Sequence, residues 1–220
     1  MQESWSPAAL TGLGALGLLV GLLTERLHRS GWYRRPEDPP PGRVCCYTLT
    51  AAVPVAWILL AHSLPAPTHL AAIAILVTHL VLAWAVILAA AVDVEVHRLP
   101  DLVTLPAAVA AALAALAALL HGVPGHPGTA LLAGILTPFI LLAVTLVFGG
   151  IGLGDIKLSS ALGAVLGWHG LATLADGVIL TCLLAGACAV VLLVTGRARR
   201  RTPLPLGPFL GLGSLLALIG

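Results

Sequence analysis

Charge is what this sequence has least of. Only 9% of its 220 residues are Asp, Glu, Lys or Arg, while 59% are hydrophobic; a soluble domain carries about 25% charged residues. That balance excludes a water-soluble globule and leaves little room for a soluble domain beside the apolar runs. Cysteine is scarce as well. Cys45 and Cys46 are adjacent, Cys182 and Cys188 fall inside apolar runs, and no C-x-x-C occurs, so neither a zinc ribbon nor a redox motif is supported. The histidines show no ligand spacing; His121 and His126 flank a Pro/Gly turn and read as solvated loop residues. The first apolar stretch has an acidic start, unlike a cleavable signal peptide. No internal repeat is evident, and no metal, cofactor or nucleic-acid partner is expected.

What is present is a series of apolar runs broken by polar residues, proline and glycine. They predict an all-α, polytopic membrane protein of about eight transmembrane helices: Ala8–Leu27, Thr48–Leu64, Thr68–Val92, Leu102–Leu120, Thr129–Phe148, Ile156–Leu171, Gly177–Thr195 and Leu206–Gly220. Residues 1–220 form one integral membrane domain on this reading. Pro54, Pro106 and Pro138 fall within spans, where neighbours can re-satisfy the backbone. The Ala/Leu-rich stretch Ala107–Ala118 reads as a close helix-packing face.

The few charges are ordered. All eleven Lys and Arg lie at or in the connections after the first, third, fifth and seventh runs, and none lies in the alternate connections. This bias places the odd-numbered loops in the cytoplasm and both termini outside. The longest loop, 28–47, reads as a solvated cytoplasmic segment and topology determinant.

Two aspartates stand at the edges of these runs. Asp93 closes one, and Asp155 follows the glycine-rich end of another. A carboxylate at a bilayer edge is costly and needs a reason. Both belong to odd-numbered connections, so they are level in depth and free to pair. Two carboxylates sharing one proton are the working parts of aspartic proteases. Around Asp93, Pro100 biases Leu99 away from helix, Asp101 is expected to cap the next span, and Glu95 and Arg98 have the spacing of an exposed ion pair. Before Asp155, glycines at 149, 150, 152 and 154 permit bending and close approach. A phosphate-cradling loop is excluded, because Asp155 replaces the lysine of that pattern and Lys157 is followed by leucine. Gly152 and Gly154 read as clearance for a substrate strand or for the partner aspartate. Lys157 reads as an anchor at the membrane edge, able to bias the ionisation of Asp155.

Together these motifs resemble the type IV prepilin peptidases, membrane aspartic proteases of the G-x-G-D type. The resemblance rests on Asp93 with Leu99-Pro100-Asp101 and Leu105-Pro106; on Gly149-Gly150, Gly152, Gly154-Asp155 and Lys157-Leu158; on Ala161-Leu162-Gly163-Ala164 with Gly167-Trp168; and on Pro205-Leu206-Gly207-Pro208. It covers residues 90–215. It implies that Asp93 and Asp155 are the catalytic pair, with Gly152, Gly154, Lys157 and Pro100 in the active-site loops. It implies a substrate class, pilin-like precursors whose short basic leader is cut at the cytoplasmic face of the inner membrane before a hydrophobic helix. Many bacterial members also carry two C-x-x-C pairs in a cytoplasmic loop and methylate the new N-terminus. This chain lacks those pairs, so cleavage without methylation and without zinc is expected. The competing readings are a small ion- or proton-coupled transporter and a presenilin-type G-x-G-D protease. The first needs acids near the bilayer midplane, the second an aspartate deeper in its span.

Overall fold

The structure, a computed structural model, describes residues 5–38, 48–67, 70–148, 151–197 and 204–220. Cys45-Cys46, Gly149-Gly150, Arg43 and Arg199 to Arg201 lie outside the described residues. Within them every element is helical: α1 Pro7–Arg29, α2 Thr48–Ser63, α3 Leu70–Val96, α4 Asp101–His121, α5 Pro127–Phe148, α6 Leu153–His169, α7 Leu171–Val194 and α8 Gly207–Ile219. Each coincides with an expected run to within four residues at either end, except that α7 starts six residues before the expected Gly177. Five of them (α1, α3, α4, α5 and α7) are long and apolar enough to cross a bilayer, and α2, α6 and α8 are shorter.

Local chemistry sets the helix ends. Ser6 Oγ accepts from the Ala9 N–H at 3.2 Å, and Pro7 follows at the first helical position, where its missing N–H costs nothing. Gly122 ends α4 in the left-handed region (φ 63°), its N–H donating to the Ala118 carbonyl. The important departure is at α3. Its apolar run stops at Val92, yet the helix continues to Val96. At 1.5 Å per residue its 27 residues span about 40 Å, roughly 10 Å more than a bilayer core. Asp93 is therefore not a solvated residue after a span. It sits inside the last turns of a helix, 4% exposed. The turn comes at His97, in the left-handed region at φ 52° with its N–H on the Asp93 carbonyl at 2.9 Å.

Helix α6 lies at the centre. It packs against α4, α5 and α7 and also touches α3 and α8. Buried on nearly every side, it shows no polar face. Lipid tails are as apolar as leucine, so close packing of small residues holds such a bundle better than burial of large ones. The alanines of α4 bear this out: Ala107, Ala111, Ala115 and Ala118 form one buried stripe, while Leu113, Leu116 and Leu120 point outward. On α6, Gly163 and Gly167 let α5 approach; a Cβ on Gly167 would stand 2.8 Å from the Ala133 Cβ. Indole N–H groups tie the first three helices, Trp84 to Thr24 Oγ1 at 2.7 Å and Trp57 to the Leu80 carbonyl at 2.9 Å.

One contact sets the register of α3 against α6. His79 Nε2 and His169 Nε2 stand 3.1 Å apart, and His79 Nδ1 donates to the Ile75 carbonyl at 2.8 Å. Fourteen residues separate His79 from Asp93 on α3, and fourteen separate Asp155 from His169 on α6. The two antiparallel helices thus carry a histidine rung about 21 Å from an aspartate rung.

Candidate active site

The aspartate rung opens into a cavity of about 750 Å³, lined by Asp93, Val96, Leu99 and Pro100 of the α3–α4 corner, by Gly152, Gly154 and Asp155 at the start of α6, and by Trp32 and Arg35 after α1, among others. Asp93 and Asp155 are 62 positions apart in sequence. Both are buried, at 4% and 6% exposure, and close enough for their charges to interact.

Each carboxylate is held through one oxygen by a backbone N–H at a helix start. Asp93 Oδ2 accepts from the Gly207 N–H at 2.9 Å. Gly207 is the first residue of α8, where N–H groups have no partner within the helix and the dipole favours negative charge. Asp155, third residue of α6, reaches back to the Gly152 N–H at 3.3 Å, which is one half of a capping box. Asp155 Oδ1 is buried without a hydrogen-bond partner among the described residues.

The neighbours correct several expectations. Asp101 does not cap α4: the N-cap is Pro100, with no side-chain bond, and Asp101 is the first helical residue. Its carboxylate instead takes the Lys157 ammonium at 2.7 Å, so Lys157 faces Asp101. Glu95 and Arg98 do not pair with each other. Arg98 reaches Asp38 at 2.6 Å, while Glu95, its side chain 5% exposed, takes the Arg34 guanidinium and the Tyr33 hydroxyl, the latter at 2.7 Å. The i,i+3 spacing allowed the expected pair, but the helix ends between the two residues and sends Arg98 the other way. The clearance at Gly154 is already filled from within: a Cβ there would stand 2.7 Å from the Leu99 Cβ. The glycine lets the α3–α4 corner close on α6, which brings Asp93 towards Asp155.

Residues 32–38 form a strap across one wall of the cavity. It is fastened by Tyr33 and Arg34 to Glu95, and by Asp38 to Arg98. Burial, and then the adjoining Glu95 carboxylate, push the Tyr33 phenol up to about 12, so it remains a donor at any physiological pH. Sequence reasoning missed this strap, the Gly207 N–H and the histidine rung. Only Gly207-Pro208 left a trace, since proline after glycine at the head of an apolar run marks a helix start with a free N–H. Among the described residues, no three His, Cys, Asp or Glu side chains stand together in a group able to hold a metal.

The chain is 38% identical over 132 residues to a prepilin leader peptidase/N-methyltransferase of Burkholderia pseudomallei (strain 1026b), covering 58% of this chain and 41% of that protein. A protein of the same description from Bacillus subtilis (strain 168) is 43% identical over 88 residues, 39% of this chain and 34% of its own length. One from Aeromonas hydrophila is 29% identical over 143 residues, 64% of this chain and 48% of its own. This chain thus spans less than half the length of each of these relatives. No solved structure matches it. The family model described as Type IV leader peptidase family matches residues 80–194, from α3 to the end of α7 with both aspartates inside, and the chain belongs to that family.

Proposed function

We propose that this protein is a membrane-embedded aspartic endopeptidase that removes the short basic leader of pilin-like precursors. The observation that carries the reading is the pair itself: Asp93 and Asp155, buried, from two helices far apart in sequence, facing one cavity with one oxygen of each held by a backbone N–H. Residues 90–215 supply the catalytic core, and the whole chain is one membrane domain.

The chemistry follows from two carboxylates that share one proton. The ionised member takes a proton from a water, and that water attacks the scissile carbonyl. The protonated member donates to the carbonyl oxygen, and a proton then passes to the leaving amine as the tetrahedral carbon collapses. The oxygens fixed by Gly207 and Gly152 orient each group. Asp155 Oδ1, which no described side chain or N–H occupies, is the oxygen presented to the reacting water and peptide. Titration belongs to the pair rather than to either residue, so the pH profile of kcat/KM is expected to be bell-shaped.

The cavity opens at the end of the bundle where the described lysine and arginines gather, Arg34, Arg35, Arg98 and Lys157 among them. Positive residues mark the cytoplasmic side, so the site faces the cytoplasm of the inner membrane, with both termini outside. The relatives' name includes methylation; the activity proposed for this chain is cleavage alone.

The test is Asp93→Asn and Asp155→Asn in purified protein given a pilin-like precursor. Each is expected to lower cleavage by roughly 10³-fold or more, because a carboxamide can neither take nor share the proton. Near-normal turnover by either variant would remove the assignment.

A further inference from the structure

Among the described residues, the cavity wall holds one acid besides the catalytic pair, Asp101, and three cations, Arg35, Arg98 and Lys157. Asp101 differs from the pair in being open: its side chain is 59% exposed and that of its partner Lys157 is 39% exposed. The structure gives this contact no helix-capping role, and an exposed ion pair of this kind adds little to stability. We propose that Asp101 is the subsite for a single lysine or arginine side chain of the peptide substrate, and that Lys157 occupies it as a stand-in until the peptide arrives. This rests on the reading of the cavity as a peptidase site.

The subsite works by exchange. Lys157 presents a flexible four-carbon stem carrying a strongly hydrated ammonium, and its ammonium meets Asp101 at 2.7 Å. Both groups are already largely in water, so replacing this ammonium by one from the peptide exchanges like for like with little desolvation. The other cations of the wall do not offer the same exchange. Arg98 is paired with Asp38, whose side chain is only 11% exposed, and Arg35 would repel a second positive charge. The wall therefore accepts one cationic side chain at one place and disfavours a run of them. The location fits a leader residue, because Asp101 follows Pro100 at the corner that carries Asp93, and Lys157 is two residues beyond Asp155. A side chain at Asp101 lies beside the peptide that the two aspartates would cut.

A structural ion pair and an exchange site make opposite predictions for its two members. The experiment uses the full chain in detergent micelles with two precursor peptides, identical except for Lys or Gln at one leader position, scanned along the leader. At the responsive position, Asp101→Asn is expected to raise KM for the Lys peptide and to shrink the Lys-over-Gln ratio of kcat/KM by about two- to fivefold, the range of an exposed charge pair. Lys157→Gln is expected to lower KM for the Lys peptide, since it removes the internal competitor. The double exchange Asp101→Lys with Lys157→Asp is expected to shift preference towards a Glu-bearing leader. If Asp101→Asn and Lys157→Gln move KM in the same direction, or if the Lys-over-Gln ratio survives Asp101→Asn at every position, the subsite is refuted while the peptidase reading stands. If the unsubstituted protein cuts neither peptide, the peptidase reading fails and the subsite with it.

Discussion

At the scale of single residues, the site depends on two glycines for different reasons. Gly154 has no Cβ because Leu99 fills that space. Gly207 has none because Asp93 does: a Cβ at 207 would stand 3.0 Å from Asp93 Oδ2 and 3.3 Å from its Cβ. Asp93 lies on a helix and cannot retreat without moving α3, so Gly207→Ala must displace the carboxylate or the start of α8. A misplacement of about 1 Å at reacting groups costs about a hundredfold in rate, so a shift of a few tenths of an ångström costs up to about tenfold. The expected outcome is a normally folded protein with kcat lowered by about that factor and KM little changed, measured by steady-state cleavage beside circular dichroism. Asp93 and Asp155 were legible in the sequence because a carboxylate at the edge of an apolar run is an anomaly. The need for glycine at 207 was not legible, because it arises from a contact between residues 114 positions apart.

At the scale of elements, the extension of α3 beyond its apolar run does most to build the site. The added turn carries Asp93 and then Glu95, and Glu95 gathers the strap: Tyr33 and Arg34 bind one of its oxygens, and His28 Nε2 stands 3.9 Å from the other. The sequence showed where apolarity ended. It could not show that the helix continued, because the partners that satisfy Glu95 come from the loop after α1. Arg98 misled for the same reason, since local spacing favoured Glu95 while Asp38, 60 residues away, took it. The strap should respond to alkali. The folded protein holds the Tyr33 proton more tightly than the unfolded chain, with a pKa moved from 10.0 to about 12. The stabilisation is therefore complete below about pH 10 and is lost as pH rises towards 12. Thermal stability is expected to fall across that interval, and Tyr33→Phe should flatten the fall. Glu95→Gln is expected to loosen the strap at neutral pH and to expose residues 32–38 to limited proteolysis.

At the scale of the whole molecule, the histidine rung joins α3 to α6 at the end away from the aspartates. The histidine rung lies between helices otherwise lined by apolar residues, and each imidazole gives the other a partner. Removing His79 leaves Nε2 of the half-buried His169 without this partner, which costs about 1–3 kcal/mol, whereas removing both rings is less harmful. His79→Leu is expected to lower the melting temperature, and adding His169→Leu should recover part of the loss. Equal or additive losses would show that the rings do not support each other. The scattered spacing of the histidines hid this pair, since its members lie 90 residues apart.

The same scale decides which way the bundle faces. The helices follow the expected runs, yet among the described residues only five are long and apolar enough for a crossing on their own. Orientation must therefore be argued from charge. Arg34, Arg35, Arg98 and Lys157 converge on the aspartate end, and α1 finishes there with Arg26 and Arg29. The opposite end is formed by the short connections that precede α3, α5 and α7, and by the histidine rung. This charge bias is what supports the proposal that the aspartate end faces the cytoplasm. Single cysteines placed in a cysteine-free background within 36–42 or 198–202 are expected to resist an impermeant thiol reagent in intact cells and to react after permeabilisation. Cysteines within 122–127 should react before it. Labelling of both basic segments from outside would turn the bundle over, and the aspartates would then meet no precursor that still carries its leader in the cytoplasm.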